Sequence, residues 1–109
     1  MHLIKAIVRP NKVDDVKNAL EKLNLSGMTV TEVRGYGKQK GHTAVYRGQE
    51  YNVSLLPKME IEIVVSDDIT EQSIQTIITA ARTGEIGDGR VFVTPVLESY
   101  KIRTGEREM

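Results

Sequence analysis

No cysteine occurs among the 109 residues, so disulfide frameworks and thiolate metal sites within the chain are both excluded. Tryptophan is absent too and phenylalanine occurs once, which leaves the core to Ile, Val, Leu, Met and Ala. Charge of one sign is also missing: fifteen Lys and Arg balance fifteen Asp and Glu. That balance argues against a dedicated nucleic-acid or membrane-surface binder, which carries a basic excess. Local cation clusters can still hold small anions. No apolar run approaches the roughly 18 residues needed to cross a bilayer. The start, Met-His-Leu-Ile-Lys, lacks a signal-peptide pattern, so a cytoplasmic protein is expected. The length suits one domain over residues 1–109.

What is present is a repeated order of elements. Leu3–Arg9 is rich in β-branched residues and closes at Pro10, as a strand does. Asn11 is placed to cap a helix whose apolar face is Val13, Val16, Leu20 and Leu23. Gly27 ends that unit, and Met28–Arg34 alternates apolar with polar residues as a second strand. The order then recurs. Met59–Val65 reads as a strand, and Asp68 with Glu71 matches a helix-start signature. Ile69, Ile74, Ile77, Ile78 and Ala81 supply the buried face of that helix, and Arg90–Thr94 is a fourth strand. Ser99–Arg103 adds a short terminal strand.

The result is an α+β, ferredoxin-like βαββαβ domain: a four-stranded antiparallel sheet with both helices on one face. Apolar residues of both parities occur in the strands, among them Ile4, Ile7 and Val8, and Ile61, Ile63, Val64 and Val65. Burial of both sheet faces follows, the second against copies of the same chain. The fold by itself does not name a function.

Between the two halves runs Gly35–Tyr51, continuing to Leu55–Lys58, a stretch with no helical or strand period of useful length. Loops of about 20 residues are uncommon in small domains and are usually functional or disordered. Three clusters could hold an anion. Gly35–Gly41 is glycine-rich and basic, so backbone amides can approach a phosphate or carboxylate. Thr83–Arg90 has three glycines within six residues but matches neither the P-loop nor the dinucleotide fingerprint. Lys101 and Arg103, as alternate strand residues, put two cations on one face. Each also has a plain reading, as a turn or as a solvated edge.

Catalysis finds little support. His2 and His42 have no evident nucleophile partner, and no metal-binding histidine spacing exists. Asp67 and Asp68 read as a helix cap. An RNA-binding module is disfavoured, because the central strands lack stacking aromatics.

The runs Gly27–Gly35, Gly37–Thr43, Tyr46–Tyr51, Leu56–Lys58, Ala81–Gly89 and Ile102–Glu106 closely resemble the PII nitrogen-regulatory signal-transduction family, in order and spacing, over almost the whole chain. The resemblance implies a non-enzymatic homotrimer that senses ATP or ADP together with 2-oxoglutarate and Mg²⁺. It acts through a long T-loop, here about residues 37–55. The implied nucleotide positions are Thr29, Gly37, Lys38, Gln39, Val64, Gly87, Asp88, Gly89, Arg90, Lys101, Ile102 and Arg103. Gln39, Lys40, Gly41 and Lys58 are implied for 2-oxoglutarate, with Gln39 also a ligand of Mg²⁺.

Tyr51 matches the tyrosine that nucleotidyltransferases uridylylate or adenylylate in relatives. Arg47 matches the loop-tip arginine that plugs ammonium channels, so the membrane is reached only indirectly. Other implied partners are nitrogen-metabolism enzymes and kinases, with no nucleic acid. Lys38, Arg90 and Lys101 stand where many relatives carry Arg, Lys and Arg. A lysine cannot make the bidentate contact of a guanidinium, which leaves the ATP/ADP preference open. The alternative from another class is a weak ATPase using the same intersubunit nucleotide site.

Overall fold

The computed structural model describes residues 1–25, 27–36, 43–46, 49–52 and 55–108, with 43–46 and 49–52 as backbone only. The elements in order are β1 (His2–Val8), a 3-10 turn (Pro10–Lys12), α1 (Val13–Glu21), β2 (Thr29–Gly35), β3 (Thr43–Tyr46) and β4 (Gln49–Asn52). They continue with β5 (Leu56–Val65), α2 (Asp67–Ala81), β6 (Gly89–Pro95), β7 (Ser99–Tyr100) and β8 (Arg107–Glu108). The main sheet has the order β2-β5-β1-β6, antiparallel throughout. This is the expected ferredoxin-like arrangement.

Alternation along the strands divides the sheet into two faces. Ile4, Ala6 and Val8 of β1 lie opposite Ile63, Ile61 and Met59 of β5, and this face is buried under the helices. Val16 and Leu20 of α1, and Ile77 and Ala81 of α2, complete the core. Two polar residues occupy central positions on the buried face of α2. Ser73 is fully buried and its hydroxyl donates to the Ile69 carbonyl at 2.8 Å; Thr70 donates to the Ser66 carbonyl at 2.9 Å. Each hydroxyl is satisfied by the carbonyl one turn back, so it can enter an apolar layer without an unpaired donor. Ile69 and Ile74 flank this line.

Several expectations are corrected. Asn11 lies inside the 3-10 turn, and α1 starts after Lys12 with no side-chain cap. Pro10 sets this geometry, since it begins the tight turn without needing a donor. The N-cap position of the second helix is Ser66, which makes no side-chain cap bond, and Asp68 lies inside the helix, so it does not start the Asp68–Glu71 box. The stretch after Gly35 contains the paired strands β3 and β4, with Thr43 opposite Asn52 and Tyr46 opposite Gln49. Leu56-Pro57-Lys58 belongs to β5 and is not loop. Pro57 is tolerated because it pairs only with Arg34 of β2; β1 flanks β5 from Met59 onward.

The terminal strand is also shorter than expected. β7 ends at Tyr100, and the amide of Gly105 donates to the Lys101 carbonyl at 2.7 Å. Lys101 therefore precedes a turn and Arg103 lies within it, so the two do not alternate on a strand.

Candidate ligand-binding site

The second sheet face carries Leu3, Lys5 and Ile7 of β1, Lys58, Glu60, Glu62 and Val64 of β5, and Arg90 and Phe92 of β6. No helix covers it. Val64 is 41% and Phe92 49% exposed, an unusual state for such residues in the middle of strands. One salt bridge crosses the face, Lys5 Nζ to Glu60 at 3.8 Å.

Where this face meets the end of β2 there is a cavity of about 360 Å³. Ile7, Val33, Leu56 and Phe92 give it apolar walls, and Lys58, Arg90 and Glu60 give it charge. Lys58 is pinned by donating to the carbonyl oxygen of Gly87 at 2.6 Å. Burial, then the charge of Arg9, lowers its pKa from 10.5, opposed by the nearby Asp88 carboxylate.

Gly87 belongs to the loop that joins α2 to β6, and that loop closes on Asp88. The Asp88 carboxylate accepts from the Thr83 amide at 2.8 Å, the Gly84 amide at 2.9 Å and the Thr83 hydroxyl. It also accepts from Arg9 Nε at 3.1 Å. These bonds, the Thr83 hydroxyl first, hold the Asp88 carboxyl far below the usual carboxylate range. Arg9 makes a second contact, its guanidinium donating to the Ile86 carbonyl at 3.0 Å.

Two glycines let the loop meet the sheet. Gly87 has φ of 103° and Gly89 of 104°, values that L side chains rarely adopt. At Gly89 a Cβ would stand 1.6 Å from the Ile7 carbonyl oxygen, so only glycine lets β6 begin against β1.

The structure brings together some of the expected site residues and separates others. Lys58 and Arg90 line one cavity, next to Gly87, Asp88 and Gly89. Thr29, opposite Glu62, and Val64, opposite Leu3, share the same face but lie toward its other end. Val64 is six residue steps along β5 from Lys58, about 20 Å at the usual rise. Within a single copy the two groups cannot meet on one small ligand. Lys101, Ile102 and Arg103 sit at the turn after β7, with Ile102 fully exposed.

Gly37, Lys38, Gln39, Lys40, Gly41 and Arg47 lie outside the described residues; Tyr51 is described only as backbone, paired with Ala44 in β4. Among the described residues no group of three or more His, Cys, Asp or Glu could hold a metal, and no helix is long and apolar enough to cross a membrane. In the sequence reading Arg9 is only the end of a strand, and Thr83 only the start of a candidate anion-binding cluster. The Arg9-Pro10 pair was the available signal, because proline holds the residue before it extended.

Fold and site together define a ferredoxin-like domain with a cation-bearing cavity on its open sheet face. The family model described as "Nitrogen regulatory protein P-II" matches residues 1–106. Among curated relatives, the nitrogen regulatory protein P-II of Klebsiella oxytoca is 56% identical over 108 residues, covering 99% of this chain and 96% of the relative. The P-II 1 protein of Escherichia coli K12 gives the same figures. The P-II protein of Azospirillum brasilense is 54% identical over 107 residues, 98% of this chain and 96% of its own length. The chain belongs to the P-II family of nitrogen regulatory proteins. Its role is therefore in nitrogen-regulatory signalling.

Proposed function

We propose that this protein reports cellular energy and carbon status to nitrogen assimilation by binding ATP or ADP, and 2-oxoglutarate together with Mg-ATP. The observation that carries this reading is the placement of Lys58 and Arg90 in one cavity beside the Gly87–Gly89 backbone. Lys58 and Arg90, together with Arg34, apolar walls and a glycine-lined approach, suit an anionic ligand that must be bound closely and reversibly. Arg90 can neutralise phosphate oxygens in a fork, and Lys58 can pair with a distal carboxylate.

In this reading a divalent cation would be shared between the two ligands. Gln39 would offer it a neutral oxygen, and the ion would join phosphate and 2-oxo acid. Because each ligand then strengthens the other, the coupling is reciprocal. The segment 37–55, which carries Arg47 and Tyr51, leads directly out of β2 and back into β5, so ligand occupancy can bias it. Through it the protein would act on its targets: ammonium channels, nitrogen-metabolism enzymes and kinases, and a nucleotidyltransferase modifying Tyr51.

The two separated groups on the open face support a homotrimer with the ligand held between subunits. A neighbouring copy can bring its Thr29 and Val64 end to the Lys58 and Arg90 end of the first, while apolar Val64 and Phe92 become covered. The work would then be done by protein contact and not by catalysis.

The test is calorimetric titration of 2-oxoglutarate with Mg-ATP, with Mg-ADP and without nucleotide. Binding with Mg-ATP alone is expected, and loss of that binding in Gln39→Ala and in Lys58→Ala. Normal 2-oxoglutarate binding by both variants would refute the site. Steady ATP turnover that Arg103→Ala abolishes would favour the ATPase reading instead.

A further inference from the structure

Arg9 is held with unusual definition for a surface arginine. Pro10 follows it, and the Arg9 backbone is extended, with φ −62° and ψ 141°, as a residue before proline must be. Its carbonyl accepts from the Lys12 amide at 3.0 Å, which fixes the chain on the other side. From this base the guanidinium reaches 79 residues along the chain to Asp88, at 3.1 Å, and to the Ile86 carbonyl at 3.0 Å. Lys58 holds the very next carbonyl, that of Gly87, at 2.6 Å.

Two successive carbonyls of one loop are thus each held by a cation from the sheet. In a trans peptide the N–H points opposite to the C=O of the same unit. The amides of Gly87 and Asp88 are therefore turned away from Arg9 and Lys58 respectively. Gly87 also has positive φ, a conformation that one residue of an anion-binding nest adopts.

We propose that Arg9 is a positioning residue for the phosphate cradle: it aims the Gly87 and Asp88 amides by gripping the Ile86 carbonyl and the Asp88 carboxylate together. The proposal rests on reading this loop as the nucleotide-binding one. Arg9 touches no ligand in this role. It acts through loop geometry, and the two-pronged contact requires the planar fork of an arginine. A lysine at the same place would keep the charge and lose one of the two contacts.

That distinction supplies the test. Mg-ATP is titrated calorimetrically into the full-length wild type, Arg9→Lys, Arg9→Met, Asp88→Asn and the Arg9→Met/Asp88→Asn double variant. Amide NMR spectra report the Gly87 and Asp88 resonances in each. Arg9→Lys is expected to lose about tenfold in ATP affinity with its charge retained, and to shift those two resonances. The double variant should lose little more than the worse single one, because both substitutions break one interaction.

Unchanged ATP affinity in Arg9→Lys, or additive losses in the double variant, would overturn the proposal even if melting temperatures fell. Should Arg9→Met fail to fold, Arg9→Lys against the wild type still decides the matter. Wild-type protein that binds no ATP would defeat the nucleotide reading itself, and this proposal with it.

Discussion

The ammonium of Lys58 stands 2.6 Å from the carbonyl oxygen of Gly87, joining the strand that leaves the long central segment to the loop after α2. The cation that the proposed function assigns to a carboxylate ligand is thus already engaged with the backbone of the loop that it assigns to the nucleotide. Binding at either place must disturb the other, which is the physical content of coupling between two ligands.

The first prediction concerns alkaline pH. Lys58 has its pKa lowered from 10.5 by burial and by the charge of Arg9. Its charged form therefore disappears earlier than an ordinary lysine's as pH rises. In the unliganded fold the cost of holding that charge is present below the lowered pKa and is relieved as pH climbs toward 10.5. Affinity for 2-oxoglutarate, which needs the ammonium, should fall with a midpoint below 10.5. Titrations at a series of pH values from 7 to above 10.5 check this; a midpoint at or above 10.5 would contradict it.

Asp88 gives a prediction of opposite sense. Its carboxyl is held far below the usual range by Thr83, Gly84 and Arg9. A depressed carboxylate stabilises the fold above its unfolded-state pKa, near 3.8, and that contribution is lost as pH falls through the folded value. Asp88→Asn should be less stable than wild type at pH 7, and the difference should shrink below about pH 4. Urea unfolding at pH 7 and pH 3 measures both, and an equal gap at the two pH values would rule the account out.

Gly89→Ala is expected to be among the most damaging single substitutions. The new methyl would meet the Ile7 carbonyl, which is backbone and cannot rotate away, and φ of 104° is itself strained for alanine. We expect a loss of more than about 2 kcal/mol from these two effects. Denaturant unfolding gives the number, and a change under about 0.5 kcal/mol would show that β6 can shift at little cost.

Phe92→Asp probes the open face. Phe92 is 49% exposed within one copy and lies opposite Lys5 on the uncovered side of the sheet. If copies of the chain cover this face, a carboxylate there removes the apolar contact and must be desolvated, although Lys5 lies opposite it on β1. Sedimentation velocity should then show dissociation toward monomer, whereas the wild type is expected to sediment as a trimer. A variant that stays trimeric would place the contact elsewhere.

Core packing can be tested separately from the site. Ile77 is 1% exposed and lies between the sheet and α1, so Ile77→Ala should cost about 2–5 kcal/mol. Ser73→Ala, in contrast, removes a hydroxyl whose partner carbonyl is still bonded within the helix, and should change stability by less than about 1 kcal/mol. Unfolding free energies that reversed this order would show that the hydroxyl layer matters more than the apolar one.

Much of the fold was legible because the relevant signals are local. Val16 and Leu20 mark the inner face of α1 by their spacing, and Ile61, Ile63 and Val65 mark that of β5 by alternation. Composition alone ruled out thiolate chemistry. Boundaries were harder. Leu56-Pro57-Lys58 read as loop because proline opposes a strand, yet only one neighbour flanks it there. Thr70 and Ser73 lay outside the expected buried face, yet each carries its own acceptor one helical turn back. Lys101 and Arg103 looked like alternate strand residues until the Gly105 turn separated them.

What the sequence determined by itself was the order of elements, the apolar residues available to the core, the glycines at the loop ends and membership of the family. What only the tertiary structure decided was which cation meets which carbonyl. Lys58 and Gly87 are 29 residues apart, and Arg9 and Asp88 are 79. Periodicity reports on neighbours one strand step or one helical turn away. Contacts at those separations arise from the crossing of β1 between β5 and β6, which sets β5 and the β6 loop beside one another at the end of the sheet.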